Sequence, residues 1–230
     1  TVHGRPSDSE LEHRIGDLLE MLTLKKTWLC CYPNELSGGE KRRVGIARTL
    51  AVGARLIVAD EPTSALDVSI QAQIVNLLQD LQKELGLSYL FISHDLRLVE
   101  LISHKVAVMY MGQIVEMGLA GRIANMPRHP YTAVLWASLV DKKSEEIVKA
   151  AGNSGADNWG IFDLERRYSG CRFAPRCPVY HANGRPTICT DSNASLRLQK
   201  IDDAHQVRCH FPLFPAPAET LNSAGGGKLN

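Results

Sequence analysis

The sequence has 230 residues with 44% hydrophobic composition, which is enough for one folded domain and a smaller appendage. Its 26 basic and 25 acidic residues almost cancel, so the charge of the whole chain argues against binding to nucleic acid or to an anionic membrane surface. Apolar runs such as 106–111 are far shorter than the roughly 20 residues that cross a bilayer, so any membrane association requires a partner.

The N-terminal part of the chain predicts two helices that begin at capping patterns. Apolar residues recur at helical spacing after Ser9-Glu10-Leu11-Glu12, which predicts an amphipathic helix over 9–24. Ser37 and Glu40 form a second capping-box pair, followed by another helix with one apolar stripe. The apolar run at 56–59 is short and flanked by polar residues, which predicts a buried parallel strand.

The next elements indicate an α/β fold. A helix is expected over 69–86, and a core strand over 88–93. A strand, a helix and a strand in this order imply a right-handed crossover and a parallel sheet. The segments 105–110 and 113–116, separated by Gly112, predict two strands in a hairpin.

The character of the sequence changes in its last third. Polar residues and glycines without clear periodicity over 142–170 predict a linker. A segment containing Cys and Pro follows, and the tail, with three consecutive glycines and few large apolar residues, is expected to be disordered. The predicted domains are therefore 1–120, 121–170, 171–215 and 216–230.

Two adjacent carboxylates follow the strand predicted at 56–59. Asp60 and Glu61 would lie at the carboxyl edge of a parallel sheet, where open α/β folds bind ligands. Asp60 is predicted to hold Mg²⁺ through water, and Glu61 to orient or deprotonate an attacking water. A polar loop is the plainer interpretation of this pair alone, but the continuation Pro-Thr-Ser-Ala-Leu-Asp over 62–67 favours a nucleotide site.

The segment Ser37-Gly38-Gly39 opens a helix and offers backbone N–H groups, a hydroxyl and the positive end of a helix dipole to phosphate oxygens. Ser37 also fits a simple capping role, and both roles can use the same atoms. No stretch of the sequence matches G-x-x-x-x-G-K-[ST], the glycine-rich loop that cradles nucleotide phosphates. The chain is therefore expected to hold half of a nucleotide site.

These motifs resemble those of ABC-type ATPases. Leu36 to Glu40 looks like the signature motif, although many relatives carry Gln at the last position; 56–62 looks like Walker B, and Ser64-Ala65-Leu66-Asp67 like the D-loop. His94, which follows the strand at 88–93, matches the switch histidine that contacts the γ-phosphate, although a histidine at a strand end is often only a surface residue. Over 32–215 the chain is similar to ATP-binding subunits of bacterial oligopeptide and dipeptide ABC importers, with nickel importers close behind; the matching segments begin at Ala65, Phe91, His129 and Gly170.

The resemblance implies an ABC-type ATPase fold, a P-loop NTPase-like parallel sheet with helices, with 1–120 as the C-terminal part of that domain and 171–215 as a small Cys-rich extension. It also implies ATP and Mg²⁺ as cofactors. Two ATPase subunits would sit head to tail beneath membrane permeases, with an extracytoplasmic protein delivering the substrate. Each ATP would lie between the phosphate loop of one subunit and the signature of the other. The nucleotide-binding residues would be Ser37, Gly38, Gly39, Glu40, Asp60 and Asp67, with Glu61 and His94 catalytic.

We therefore expect a chain that supplies its signature to ATP held elsewhere and that does not hydrolyse ATP alone. A truncated or regulatory non-hydrolytic subunit and a nickel-importer ATPase are the alternatives. The first residues have no apolar core of a secretion signal, so we expect a cytoplasmic protein. They also lack an initiator Met, which is consistent with a chain that begins mid-gene or has been trimmed. The resemblance implies that the protein is peripheral on the inner face of the cell membrane.

Four cysteines, Cys171, Cys177, Cys189 and Cys209, are spaced C-x5-C-x11-C-x19-C. Disulfides are disfavoured in the cytosol, and buried free thiols are common, so the spacing alone leaves metal ligands and structural thiols open. Related subunits carry four cysteines here, so the resemblance implies a four-iron iron–sulfur cluster, with tetrathiolate zinc as the alternative. His210 is a weaker candidate ligand. Cys30 and Cys31 are taken as structural residues.

Overall fold

The computed structural model describes residues 7–138, 170–191 and 197–213. The chain divides into two compact units, one up to Leu98 and one from Val99 onward. Apart from Gly170, the predicted linker at 142–170 lies outside the described residues, as does the tail at 216–230. The domain boundaries derived from the sequence stay predictions.

The described part of the first unit contains three complete α-helices, two short 3-10 helices (Lys26–Cys30 and Pro33–Glu35) and two parallel strands. Strands β1 and β2 pair in parallel register from Leu56 opposite Ser88 to Asp60 opposite Ile92. This arrangement confirms the strand, helix and strand expected from the sequence. The elements are α1 (Asp8–Met21), α2 (Gly38–Ala51), β1 (Leu56–Asp60), α3 (Val68–Leu85) and β2 (Ser88–Ile92).

The first helix starts earlier than predicted. Its capping box joins Ser7 and Glu10: the Glu10 N–H donates to Ser7 Oγ at 3.3 Å, and the Ser7 N–H donates to Glu10 Oε2 at 2.8 Å. The prediction that the box begins at Ser9 was wrong. The chain repeats Ser-x-x-Glu two residues apart, and the earlier copy extends the helix and its hydrogen bonding by half a turn.

The core of the first unit lies on one face of its sheet. Its buried members come from α1, α3, the strands and their connections: Leu19, Leu22, Leu24, Ile57, Leu81 and Leu87. Leu56 and Val58 in β1 are 61% and 60% exposed, and Leu90 and Ile92 in β2 are also exposed. Because side chains alternate along a strand, these residues form the opposite face, which no described residue of this unit buries. The prediction of fully buried strands was therefore wrong for this face.

The second unit is built on a four-stranded antiparallel sheet with the order β3-β4-β6-β5. The β3–β4 hairpin turns at Gly112, whose φ of +75° suits glycine, and it confirms the predicted pair of strands. Helix α4 (Leu96–Ile102) spans the division between the units. The other elements are β3 (Lys105–Tyr110), β4 (Gln113–Leu119), α5 (Ala120–Asn125), α6 (Pro130–Ala137), α7 (Pro178–Ala182), β5 (Gln199–Asp202) and β6 (His205–Val207).

Strand β6 comes from the Cys-containing segment and pairs with β4 of the hairpin. Glu116 lies opposite Val207, and Gly118 lies opposite His205. A Cβ at Gly118 would lie 3.0 Å from the Ala204 carbonyl oxygen, so a side chain there would press on the backbone before β6, and glycine permits the close approach. The sequence did not predict this pairing. In the described parts of the chain, no helix is long and apolar enough to cross a membrane.

The C-terminus of α3 provides a test of backbone conformation. Gly86 has φ +62° and ψ 33°, and a Cβ there would meet no atom within 4 Å, so a side chain would be strained only through the backbone. We expect Gly86→Ala to lower the free energy of unfolding by about 1 kcal/mol. Gly45→Ala in α2 is the matched control, because its Cβ also meets nothing and helical Ala should stabilise by up to ~1 kcal/mol. Urea denaturation measures the free energy of unfolding of both variants. If both substitutions changed it in the same direction, the left-handed conformation assigned to Gly86 would be contradicted.

Candidate functional site

The turn after β1 holds Glu61 in a fixed position. Glu61 has φ +47°, a conformation that is uncommon for a residue with a side chain. Its N–H donates to the Ile92 carbonyl at 2.9 Å. Its own carbonyl accepts from Arg42 Nη2 at 3.0 Å and from Ser64 Oγ at 2.9 Å. These three bonds support the left-handed backbone and keep the carboxylate beside Asp60 at the carboxyl edge of the two strands.

The structure brings the two predicted catalytic residues together. His94 Nδ1 lies 2.8 Å from Glu61 Oε1, and the two side chains are 81% and 37% exposed. The hydrogen bond to Glu61 and the charge of its carboxylate raise the pKa of His94. The pair therefore forms an accessible acid–base couple at the edge where Asp60 ends β1.

The signature segment makes its own internal hydrogen bonds. The Glu40 N–H donates to Ser37 Oγ at 3.4 Å, and the Ser37 N–H donates to Glu40 Oε2 at 2.7 Å, which confirms the predicted capping box. The hydrogen bonds from Ser37 lower the pKa of the Glu40 carboxyl. The capping role of Ser37 is thus present in the structure, and the contact with phosphate stays a prediction.

The two glycines of the signature allow α2 to approach the start of α3 closely. A Cβ at Gly38 would lie 3.0 Å from Leu66 Cδ2, and one at Gly39 would lie 2.8 Å from Ile70 Cγ2. Both distances are too short for ordinary packing, so these positions have a steric reason to be glycine that is independent of any ligand.

The D-loop aspartate also has a structural role. Asp67 caps α3, because its Oδ1 accepts a hydrogen bond from the Ile70 N–H at 2.9 Å. This bond, with further hydrogen bonds from Ser69, lowers the pKa of the Asp67 carboxyl. A role of Asp67 in nucleotide binding stays a prediction.

The four C-terminal cysteines line one cavity of the second unit. Cys171 and Cys189 are joined by a main-chain bond, N–H to carbonyl, of 2.8 Å. Cys177 caps α7 and accepts from the Tyr180 N–H at 3.4 Å through its sulfur. Cys209 follows β6 two residues after its end. The cysteines thus converge from three separate segments of the described chain.

Burial makes these thiols hard to ionise. It raises the pKa of Cys177 to about 11 and that of Cys209 to about 12, and it also raises the pKa values of Cys171 and Cys189. The charges of the other three cysteines contribute to the increase for Cys209, which shows that all four are near one another. Among the described residues, however, no three His, Cys, Asp or Glu side chains are placed to hold a single metal ion.

Sequence reasoning missed a buried polar group beside this cavity. Glu116 is fully buried in β4, and its carboxylate accepts from the backbone N–H groups of Arg128 at 2.6 Å and His129 at 2.8 Å. His205 Nε2 lies 2.6 Å from the same carboxylate. A Glu among the apolar residues of the strand was a weak signal of a buried polar group. Its partners could not be found from the local sequence, because they lie 12, 13 and 89 residues away.

His129 itself lines the cysteine cavity. It caps α6, because its Nδ1 accepts from the Tyr131 N–H at 3.0 Å. Burial lowers the pKa of His129 to about 4, so its ring is neutral at pH 7. The sequence marked this residue only as the start of the family-like segment His129-Pro130-Tyr131-Thr132.

Comparison with known families identifies both parts of the chain. Residues 5–64 match the model for the ABC transporter family, and residues 115–183 match that for the oligopeptide/dipeptide transporter C-terminal region. Over these two ranges the chain is similar to ABC transporter ATP-binding proteins. The resemblance and the α/β ABC-type ATPase fold predicted from the sequence are confirmed.

Similar curated proteins carry import names. A putative peptide import ATP-binding protein of Brucella abortus is 41% identical over 211 residues, 91% of this chain and 59% of that protein. The glutathione import ATP-binding protein GsiA of Salmonella typhi is 51% identical over 138 residues, 60% of this chain and 22% of that protein. The oligopeptide transport ATP-binding protein OppF of Streptococcus mutans is 51% identical over 131 residues, 57% and 42% of the two chains. The chain thus spans between 22% and 59% of the length of these relatives.

Solved structures with a similar backbone include cbiO1 from Clostridium perfringens, part of the ABC transporter complex cbiONQ. It has a TM-score of 0.49 and 26% identity, over 64% of this chain and 57% of that chain. The dimeric ABC transporter cassette MJ0796 has a TM-score of 0.46 and 31% identity, over 51% and 50% of the two chains.

The Glu61–His94 contact predicts a pH-dependent interaction. Because the pKa of His94 is raised in the folded chain, the stabilisation from this pair is full below the unfolded value of about 6.5 and is lost as pH rises through the raised value. We expect Glu61→Gln to lower the pKa of His94, measured by NMR titration of its ring protons. Asp95→Asn is the control and should lower the pKa of His94 less, since the charge of Asp95 raises it less than the contact with Glu61 does. A His94 pKa unaffected by Glu61→Gln would contradict the contact.

Proposed function

We propose that this chain is part of an ATP-binding subunit that energises peptide import by an ABC transporter. The observation that carries the proposal is the hydrogen-bonded pair Glu61 and His94, held at the carboxyl edge of a parallel sheet by a strained turn. The family match and the peptide, oligopeptide and glutathione names of relatives support this assignment.

In the proposed reaction, Glu61 would orient or deprotonate the attacking water, and Asp60 would be the residue that holds Mg²⁺. The second oxygen of Glu61 is available for this, because only Oε1 contacts His94. If Nδ1–H of His94 donates to Glu61, the neutral ring presents Nε2 as an acceptor. Donation to a γ-phosphate then requires the protonated ring, and the raised pKa of His94 favours that state.

The nucleotide site would be completed by another polypeptide segment. The sequence has no phosphate loop, so the ATP bound beside Glu61 needs a cradle from elsewhere. The exposed apolar face of β1 and β2 supports a further segment packing against the sheet. Ser37, Gly38, Gly39 and Glu40 would contact ATP across a head-to-tail interface with a second ATPase subunit, and Asp67 would lie near it.

The remaining partners follow from the same proposal. Two ATPase subunits would bind membrane permeases from the cytoplasmic side, and an extracytoplasmic protein would deliver the peptide. The chain would then be peripheral on the inner face of the cell membrane. The nearly neutral charge of the sequence gives no support to nucleic acid as a partner.

The four cavity cysteines would hold a [4Fe-4S] cluster, with zinc as the alternative. One observation supports this fit: all four thiols line one cavity. Because burial raises the pKa values of these thiols, metal binding would have to displace protons that the apo cavity holds in place. The cluster would supply four metal–thiolate bonds. Cys171, Cys177, Cys189 and Cys209 would thereby cross-link segments that have little core of their own.

The half-site predicts the ATPase behaviour of the chain. Alone, it should release no appreciable phosphate from Mg-ATP, because no loop binds the ATP phosphates. Combined with an ATPase segment that supplies the loop, it should hydrolyse ATP, and Glu61→Gln should reduce the rate by about 100-fold or more. Glu84→Gln removes an exposed carboxylate from α3 and should leave the rate unchanged. Sustained Mg-dependent hydrolysis by the pure chain would contradict the half-site.

The substrate class has a separate readout in the same assembly. With permeases in vesicles, and with the binding protein present, ATP should drive uptake of a labelled oligopeptide. Uptake of nickel in place of peptide would overturn the substrate assignment without affecting the ATPase result.

The cysteine site predicts a metal content. Protein purified without oxygen should be brown and contain four irons and four sulfides per chain. Cys189→Ser should reduce the iron and the visible absorption, because it removes one of the four ligands. Cys30→Ser is the matched control, since Cys30 is an exposed free thiol and should retain both. Stoichiometric zinc without iron would reverse the choice of metal.

A further inference from the structure

A buried ring nitrogen beside the cysteine cavity lacks a partner. His129 is 1% exposed, and its Nε2 has no hydrogen-bond partner among the described residues. Four other buried side-chain atoms share this condition, but their residues do not line the cavity. Buried donors are normally satisfied, so this nitrogen requires an explanation.

The hydrogen bonds of His129 show which proton the orphaned nitrogen carries. The Tyr131 N–H donates to Nδ1 at 3.0 Å, so Nδ1 presents its lone pair and carries no proton. The ring proton is therefore on Nε2. A protonated Nε2 cannot bind a metal, but it can donate a hydrogen bond.

The ring is also held firmly in place. Its backbone N–H donates to Glu116 Oε2 at 2.8 Å, while Nδ1 is occupied by the cap of α6. Phe173 packs against it with ring centroids 5.9 Å apart. His129 lines a cavity that also contains four thiols, so an acceptor that fills this cavity is a candidate partner for the unpaired Nε2–H.

The lining of the cavity limits the chemistry of this acceptor. Besides the cysteines, two histidines and the hydroxyl of Tyr180, the lining side chains carry no polar group: Pro130, Ala174, Val179 and Phe211. Sulfur is therefore the abundant acceptor. A neutral thiol accepts weakly, whereas a thiolate or sulfide bound to iron carries negative charge and accepts well.

We propose that Nε2–H of His129 donates a hydrogen bond to a sulfur of the iron–sulfur cluster held by the four cysteines. This inference rests on the cluster proposed above. His129 is a positioning residue that acts on the centre without binding iron. Its hydrogen bond offsets negative charge on sulfur, so it favours the reduced cluster, which gains one electron, and raises the reduction potential.

Two substitutions separate this role from the capping role. His129→Asn keeps an acceptor for the Tyr131 N–H and is a good helix cap, but it has no donor at the position of Nε2. His129→Gln can place an amide N–H near the position of Nε2, but it gives up the short cap. A purely structural role predicts that Asn is tolerated and Gln is not. The proposed role predicts that His129→Asn changes the reduction potential of the cluster and that His129→Gln leaves it close to the wild-type value.

The experiment is a dithionite titration of anaerobically purified protein, followed by absorption and electron paramagnetic resonance. Iron and sulfide are measured for the wild type and both variants. We expect His129→Asn to shift the midpoint potential to a more negative value with its iron retained. His129→Gln should keep a potential near that of the wild type, even if its unfolding midpoint falls.

The outcomes distinguish the two proposals. A wild type without an iron–sulfur centre would overturn the cluster and this inference together. A wild type with a full cluster, and a His129→Asn variant with the same potential and iron content, would overturn the hydrogen bond alone. If the midpoint potential became more negative in His129→Gln but stayed at the wild-type value in His129→Asn, His129 would act only as a helix cap.

Discussion

The second unit is organised around one buried carboxylate. Glu116 is fully buried, and it accepts two backbone N–H groups and contacts His205 Nε2. A buried carboxylate is tolerated only when its oxygens are satisfied, so these partners must stay in place for the fold to persist. The contacts join β4, the segment before α6, and β6. They thereby orient the backbone of His129 and the strand that leads to Cys209, two walls of the cysteine cavity.

In the first unit, several residues have two roles at once. Residues that define the nucleotide motifs also cap helices or fill close contacts, as Ser37, Gly39 and Asp67 do. Arg42, on the signature helix, donates to the carbonyl of Glu61 at the end of β1. A displacement of that helix would therefore reach the turn that carries the Glu61 carboxylate through the hydrogen bonds of Arg42. Structural and catalytic roles at this edge are difficult to separate by deleting one side chain.

The fold was predictable where local rules were sufficient. Capping pairs, helical spacing and the left-handed Gly86 indicated α2, α3 and the parallel β1–β2 pair, and Gly112 indicated the hairpin. The proximity of Glu61 and His94 also followed, because both lie at carboxyl ends of neighbouring strands. The roles of Glu116 and His205 could not be predicted from the sequence, because their contact spans 89 residues and leaves no local pattern. Apolar runs likewise cannot show that Leu56 and Val58 face outward, since burial depends on what packs against the sheet.

The exposed apolar face of β1 and β2 has a consequence for the stability of the uncovered chain in the cell. Leu56, Val58, Leu90 and Ile92 place four large apolar side chains on a short sheet, and no described residue of the first unit pairs further strands with it. Such a surface invites edge-to-edge association and capture by chaperones or proteases. Abundance would then be governed by encounter with the covering polypeptide soon after synthesis. Surplus copies would be removed by quality control, which would match the amount of this protein to that of its assembly.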